Sequence, residues 1–346
     1  MAQKEESKMK RLFFTLCFLL IAGNCLAASS RVLPASYTEY TYDSAGGGED
    51  YTSLATWEAD TDTDVSATGQ VLTCSSGIHA DSVVLAGATT DANGFRVIRA
   101  ATGARGTPTS GVRFEKSASS GVLYVIENLE NYFACHDIAT KATNSSTNNS
   151  MGFVSWKTAT FVGCTAYNIT ATSTGTSGGF VFLGYYANET FTVINCFATA
   201  VTGGSGSPRG GFVLYNEAYG TTAYIYNCTT TANDRGVTLY RVSGTINAKT
   251  KNNIIQSNTT DIYIPITTGV THTQTTNATS GVTFAADGYH LASNDTGAIG
   301  AGTDLSSDAV FAFDDDIDGE IRDDWDIGAD EYVASGARRR VIILGD

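Results

Sequence analysis

Three groups of residues have the types and spacing to do chemistry. The first is the acidic run Asp314-Asp315-Asp316-Ile317-Asp318-Gly319. Asp314, Asp316 and Asp318 alternate ahead of a glycine, as in the first half of an EF-hand-type calcium loop, where carboxylates converge on one hard cation and glycine permits the sharp turn. The twelfth position of that loop is Trp325, where a bidentate glutamate belongs, and no flanking helices are evident. The alternative is a structural turn whose carboxylates accept backbone N–H groups and pair with Arg322. Calcium is the one cofactor the sequence suggests.

The second group is Arg209, Asp234 and Arg235, at comparable places just before a Gly-Phe or Gly-Val phrase. Lining one rim, they would be the best candidate acid–base cluster in the chain. A salt bridge between loops explains them equally well. Glu189 and Glu217 lie ten and six residues past the glycines of their own coils, so they do not stack. His79, His136, His272 and His290 are isolated in sequence, so no metal site or nucleophile triad is expected from them. The third group is aromatic: Tyr185, Tyr215 and Tyr240, in a stretch that also holds Tyr186, Tyr219, Tyr224 and Tyr226. Outward rings of this kind stack on sugar faces. They also serve as outward members of cross-strand pairs.

These residues sit on a repeat. Val162-Gly163-Cys164-Thr165, Ile194-Asn195-Cys196-Phe197 and Tyr226-Asn227-Cys228-Thr229 are versions of one phrase. Weaker copies are Phe133-Ala134-Cys135-His136 and Asn252-Asn253-Ile254-Ile255. A second phrase, Gly152-Phe153-Val154, Gly179-Phe180-Val181, Gly211-Phe212-Val213 and Gly236-Val237-Thr238, interleaves with it. The smallest unit is 25 residues, 8 from Cys228 to Gly236 plus the 17 that separate Gly179 from Cys196 and Gly211 from Cys228, and a repeat of that period implies a solenoid. Within it Phe180/Phe182, Phe212/Leu214 and Val237/Leu239 alternate at period two, which argues strands. The expected fold is all-β, a right-handed parallel β-helix. Stacked coils about 4.8 Å apart would align Cys135, Cys164, Cys196, Cys228 and Ile254 in one column of buried thiols, without disulfides, and Asn195, Asn227 and Asn253 in a turn ladder. Leu54 and Trp57, after a possible cap at Asp50, Thr52 or Ser53, read as a short helix that lids one end.

Residues 1–27 read as a secretory signal peptide: Lys10-Arg11, the apolar run Leu12 to Ala22, then a small residue at Ala27. The run is too short to span a membrane. Its removal takes away four basic and two acidic residues and moves the net charge from −14 to −16, so nucleic acid is not an expected partner. A leader over 28–45, a β-helix over 46–333 and a tail over 334–346 complete the expected organisation. In the tail, Arg338-Arg339-Arg340 before Val341-Ile342-Ile343-Leu344 reads as a last strand with a solvated basic start.

Asp316-Ile317-Asp318-Gly319, Arg322 and Asp326-Ile327-Gly328-Ala329-Asp330-Glu331, with Ala298-Ile299-Gly300-Ala301-Gly302 upstream, form a D-x-D-G…R…D-I-G-A-D-E phrase. It resembles the closing coil of pectin-lyase-like right-handed parallel β-helix proteins. Gly48-Glu49-Asp50-Tyr51-Thr52-Ser53-Leu54-Ala55-Thr56-Trp57 resembles the opening of such chains. The resemblance implies the β-helix, a coil closing it at 314–332, and a choice among lyases, hydrolases, adhesins and tailspikes; fold alone does not decide among them. The expected function is a secreted or cell-surface structural and recognition module whose favoured ligand is a polysaccharide or surface glycan. The alternatives are a polysaccharide lyase or glycoside hydrolase, and a tailspike-like attachment protein.

Overall fold

The computed structural model describes residues 31–172, 174–205 and 208–334. The expected signal peptide and the Arg338–Leu344 segment lie outside the described residues. Three sheets, each continuous along the molecule, make up the fold. Sheet A contains β1 (Tyr37–Tyr42), β2 (Gly69–Cys74), β5 (Arg96–Ala100), β8 (Phe133–His136), β11 (Ala159–Val162), β15 (Glu189–Ile194), β18 (Gly220–Tyr226), β21 (Thr245–Lys251) and β24 (Val270–Thr275). Sheet B contains β3 (Gly77–His79), β6 (Val112–Ala118), β9 (Ala139–Asn144), β12 (Thr165–Tyr167), β16 (Phe197–Thr199), β19 (Thr229–Thr231) and β22 (Ile254–Ile255), with β13 (Thr170–Ala171) beside β9. Sheet C contains β4 (Val83–Leu85), β7 (Leu123–Asn128), β10 (Ser150–Ser155), β14 (Ser177–Gly184), β17 (Gly210–Asn216), β20 (Arg235–Arg241) and β23 (Thr260–Tyr263).

In the regular coils the chain visits A, B and C in turn, and each strand pairs in parallel with its counterparts one coil before and after. This is a right-handed parallel β-helix. No helix of the described residues is long and apolar enough to cross a membrane.

The interior is filled by columns. Phe153, Phe180 and Phe212 stand in register on sheet C and stack with ring centroids 4.8 and 5.1 Å apart. Phe161 meets Phe153 and Phe180 edge-on from sheet A. Every coil buries its apolar face against its neighbours, so core and repeat are one feature. At the start of the solenoid the interior is lidded by α1 (Leu54–Asp60), whose Leu54 and Trp57 are fully buried. Ser53 is its N-cap and accepts a hydrogen bond from the Thr56 N–H.

Three expectations need correction. The cysteine column is shorter than the sequence suggests. Cys164, Cys196 and Cys228 each follow a residue in the left-handed region, Gly163, Asn195 and Asn227, which turns the chain from sheet A to sheet B. In the flanking coils that turn residue is Asp137 and Asn252, so the column continues into Ile138 and Asn253. Cys135 lies instead on β8 opposite Phe161, and Ile254 lies opposite Thr229. All five cysteines among the described residues are free and buried. The turn ladder is correspondingly Asn195, Asn227 and Asn252 (φ 52, 50 and 51°), while Asn253 turns inward and accepts the Cys228 N–H at 2.8 Å. Asparagine suits these turns because it tolerates positive φ better than other side chains.

The second correction is at the N-terminal side. The expected leader includes β1, the first strand of sheet A, paired with β2 over its whole length. The third is the largest. Residues 314–332 do not close the end of the solenoid. After Ala278, which still bridges to Ile254, the chain leaves the helix and runs back along the outside of the corner between sheets A and B. This strap lays Leu305, Phe313 and Trp325 on Val162, Ile194 and Tyr226, and Ile317, Ala329 and Tyr289 on Phe197. It reads the turn ladder by hydrogen bonds. Asn195 Nδ2 donates to the Asp315 carbonyl (2.8 Å), Asn252 exchanges bonds with the Thr303 backbone (2.7 and 2.9 Å), and the Gly328 N–H donates to the Asn252 carbonyl (2.7 Å). At its far end Arg31 ties Asp315 (2.5 Å) to Asp137 (2.7 Å).

Candidate functional site

The outer face of sheet C carries a different arrangement. Period-two alternation sends Phe180, Phe182, Phe212 and Leu214 inward and leaves Val181, Leu183, Val213 and Tyr215 outward. Val154, Val181 and Val213 form one outward row, and Leu183, Tyr215 and Tyr240 the next. Trp156, Tyr185, Tyr215 and Tyr240 make a ladder along the molecule, with successive ring centroids 4.9, 6.3 and 5.6 Å apart. The structure therefore brings together the three tyrosines that the sequence singled out, Tyr185, Tyr215 and Tyr240.

The orientation of the rings limits what they can do. Tyr215 and Tyr240 stack at 26°, so one face of each is spent on the other. Lys157 Nζ sits 3.4 Å from the centroid of the Tyr186 ring, and the Arg235 guanidinium 3.5 Å from that of Tyr263. These are cation–π contacts within the chain. The ladder sets hydroxyls and carboxylates beside its rings. The Tyr215 hydroxyl donates to Glu217, and the Trp156 indole N–H donates to Glu127 (2.8 Å). Burial, then the hydrogen bond to Glu217, push the Tyr185 phenol up to about 12. Burial also holds the Glu127 carboxyl above its usual range, against the lowering effect of the Trp156 hydrogen bond. Both tyrosines keep their protons at neutral pH and can donate, while carboxylate oxygens accept.

Glu127 and Trp156 were not anticipated. Glu127 looks like an ordinary exposed strand glutamate in sequence, and Trp156 stands outside the Gly-Phe-Val phrase. Their common signal is register, since Glu127 pairs with Val154, two residues before Trp156.

Arg209 and Asp234 do meet, at 3.5 Å, and Asp234 also accepts the Gly203 N–H (3.1 Å). Arg209 donates to the Gly204 carbonyl (3.0 Å), and its own carbonyl accepts from the Thr238 hydroxyl (2.6 Å). These bonds fasten the loop before β17 to the next coil, which is the salt-bridge reading of the pair. Arg235 faces Tyr263, and burial followed by the nearby Arg209 charge lowers its pKa.

Asp314, Asp316 and Asp318 lie in the strap. Asp316 accepts the N–H groups of Asp318 (2.9 Å), Glu320 (2.7 Å) and Glu331 (3.1 Å). Asp318 is shared between Arg105 and His290. Arg322, 3% exposed, reaches the carbonyls of Asp315, Gly328 and Ala329 and the Glu331 carboxylate. This is the structural-turn alternative in detail. Among the described residues, triads of possible ligand atoms within 4.8 Å of one another are His290–Asp318–Asp330 and Glu58–Asp62–Glu130. Neither includes Asp314 or Asp316. His290, isolated in sequence, is not isolated in space.

Compared with family models, curated proteins and solved structures, the chain matches none.

Proposed function

We propose that this chain is an exported recognition module of pectin-lyase-like type, and that the outer face of sheet C binds a glycan. The observation that carries the reading is the ladder Trp156–Tyr185–Tyr215–Tyr240, flanked by Glu127 and Glu217 on one rigid sheet. Alternating hydroxyl donors and carboxylate acceptors on an aromatic frame match the hydroxyl-rich edge of a saccharide. The spacing of one rung per coil suits an extended chain lying along the solenoid.

Binding is favoured over cleavage by distance. Glu127 on β7 and Glu217 just past β17 are three strands apart, about 14 Å across the sheet alone at the usual strand spacing, and Glu217 lies further along than Val213, the residue in register with Glu127. Acid–base pairs that hydrolyse glycosides stand about 5–9.5 Å apart. Arg209 and Asp234 are spent on fastening a loop. The test is a screen of the purified chain against neutral and acidic polysaccharides, with and without calcium, followed both for retention and for new reducing or unsaturated ends. Retention without new ends supports the reading. New ends that disappear in Asp234→Ala would make the chain an enzyme instead.

A further inference from the structure

We propose that His290, Asp318 and Asp330 form a binding site for one divalent transition-metal ion of the zinc class. The site lies on the strap, away from sheet C, and is independent of the glycan reading. One nitrogen and two carboxylate oxygens, all within 4.8 Å of one another, converge there from three separate segments. His290 ends a small hairpin in which Phe284 bridges to Leu291. Asp318 stands at a turn that Gly319 permits with φ 79°, and Asp330 is held by the Leu291 N–H at 2.7 Å.

The surroundings are those of a metal ligand set. Asp287 Oδ2 stands 2.6 Å from His290 Nδ1, while its Oδ1 accepts the backbone N–H groups of Tyr289 and His290. A carboxylate behind a histidine fixes the tautomer with the proton on Nδ1 and turns the Nε2 lone pair toward the ion. Nε2 lies 2.9 Å from Asp318 Oδ2. Binding would replace the proton shared by those two atoms and release it to solvent, with no change of oxidation state. Asp330 is 7% exposed, whereas the side chains of His290 and Asp318 are 38% and 28% exposed, which leaves a way in from solvent.

A second observation points to a ligand at this place. Arg105 reaches Asp318 through Nη1, but its Nε and Nη2 are buried with no acceptor among the described residues. The Tyr289 hydroxyl, in the ring beneath the Arg105 guanidinium, is buried and unpartnered as well. An ion held by three protein ligands keeps at least one water or hydroxide. Its oxygen is the kind of acceptor these donors lack. The mixed nitrogen and oxygen set favours zinc, cobalt or nickel over calcium, which takes six to eight oxygens. The other triad, Glu58–Asp62–Glu130, already holds a cation in the fully buried Arg96 guanidinium, paired with Glu130 and Glu58.

The experiment is calorimetric titration of the chelator-stripped full chain with zinc, with metal content measured after dialysis. One zinc per chain is expected. His290→Ala and Asp330→Asn should each weaken binding at least ~10-fold, and Asp287→Asn about 10-fold through the orientation of the ring. Each variant is first matched to the parent by its melting curve in chelator. If His290→Ala does not fold, cobalt is used with His290→Gln, and loss of the visible cobalt absorption is expected. Substoichiometric zinc, or full affinity in folded His290→Ala, overturns the proposal. So does calcium bound in place of zinc and lost in Asp314→Asn.

Discussion

The corner between sheets A and B and the outer face of sheet C are built from the same stacked coils, yet they end differently. At the corner the turn residues Asn195 and Asn252 offer side-chain amides, and the chain's own strap completes them. On sheet C no strap runs among the described residues, and the rungs are completed by aromatic rings of neighbouring coils and by carboxylates, Glu127 from the coil before Trp156 and Glu217 two residues past Tyr215. The difference teaches that a solenoid surface becomes a scaffold or a platform according to what satisfies its repeated polar groups. Where partners come from the chain, the residues are buried and fixed. Where they come from one another, hydroxyls and carboxylates stand beside the rings.

If that division is right, changes at the corner should cost stability and spare binding, and changes on sheet C should do the reverse. The largest effect is expected for Arg322→Ala. It strips partners from Glu331 and three carbonyls in a buried setting, and should destabilise the chain by about 3–5 kcal/mol, read from denaturant unfolding. Next is Asn195→Ala, which loses the bonds to the Asp315 carbonyl and to Arg322 and must hold φ 52° without an amide; about 2–3 kcal/mol is expected. Asn195→Gly should recover about 1 kcal/mol of that, because glycine adopts the same turn without strain. Equal losses in the two variants would mean that the bonds alone matter.

A smaller effect concerns pH. Burial, then the Glu331 charge, push the Asp326 carboxyl up to about 6 from an ordinary 3.8. A raised carboxyl gives stability that is complete below the ordinary value and lost as pH rises through the raised one. Protection of the strap backbone in hydrogen exchange should therefore fall between pH 4 and 6 relative to Asp326→Asn, which removes this component. Parallel profiles for the two proteins would contradict the assignment. The smallest stability change is expected for Tyr215→Phe, under about 1 kcal/mol, since it keeps the ring stack and loses only the bond to Glu217.

The repeat was legible because it is local: a 25-residue period and a period-two alternation are written in neighbouring residues. The register mark was misread. The phrase Phe133-Ala134-Cys135-His136 matches the others in hydrophobicity, but the coil turns at Asp137, so the left-handed residue and not the cysteine sets the alignment. The strap was not legible. Asp315, Thr303 and Gly328 find their partners 120, 51 and 76 residues back, and nothing in their own segment encodes the direction in which it runs. Tyr185, Tyr215 and Tyr240 were found as a crowd of tyrosines, but the Trp156–Glu127 pair that extends their ladder joins residues of two different coils. His290 shows the same limit: three ligands from three segments have no spacing signature.

The most direct test is to take the glycan best retained in the screen and measure its affinity for the parent chain, Tyr215→Ala, Glu217→Gln and Asn195→Gly. The account predicts at least ~10-fold weaker binding for the first two, each losing a contact worth about 1.5 kcal/mol or more, and unchanged binding for Asn195→Gly. Unchanged affinity in Tyr215→Ala and Glu217→Gln, or retention of no glycan at all, would contradict it.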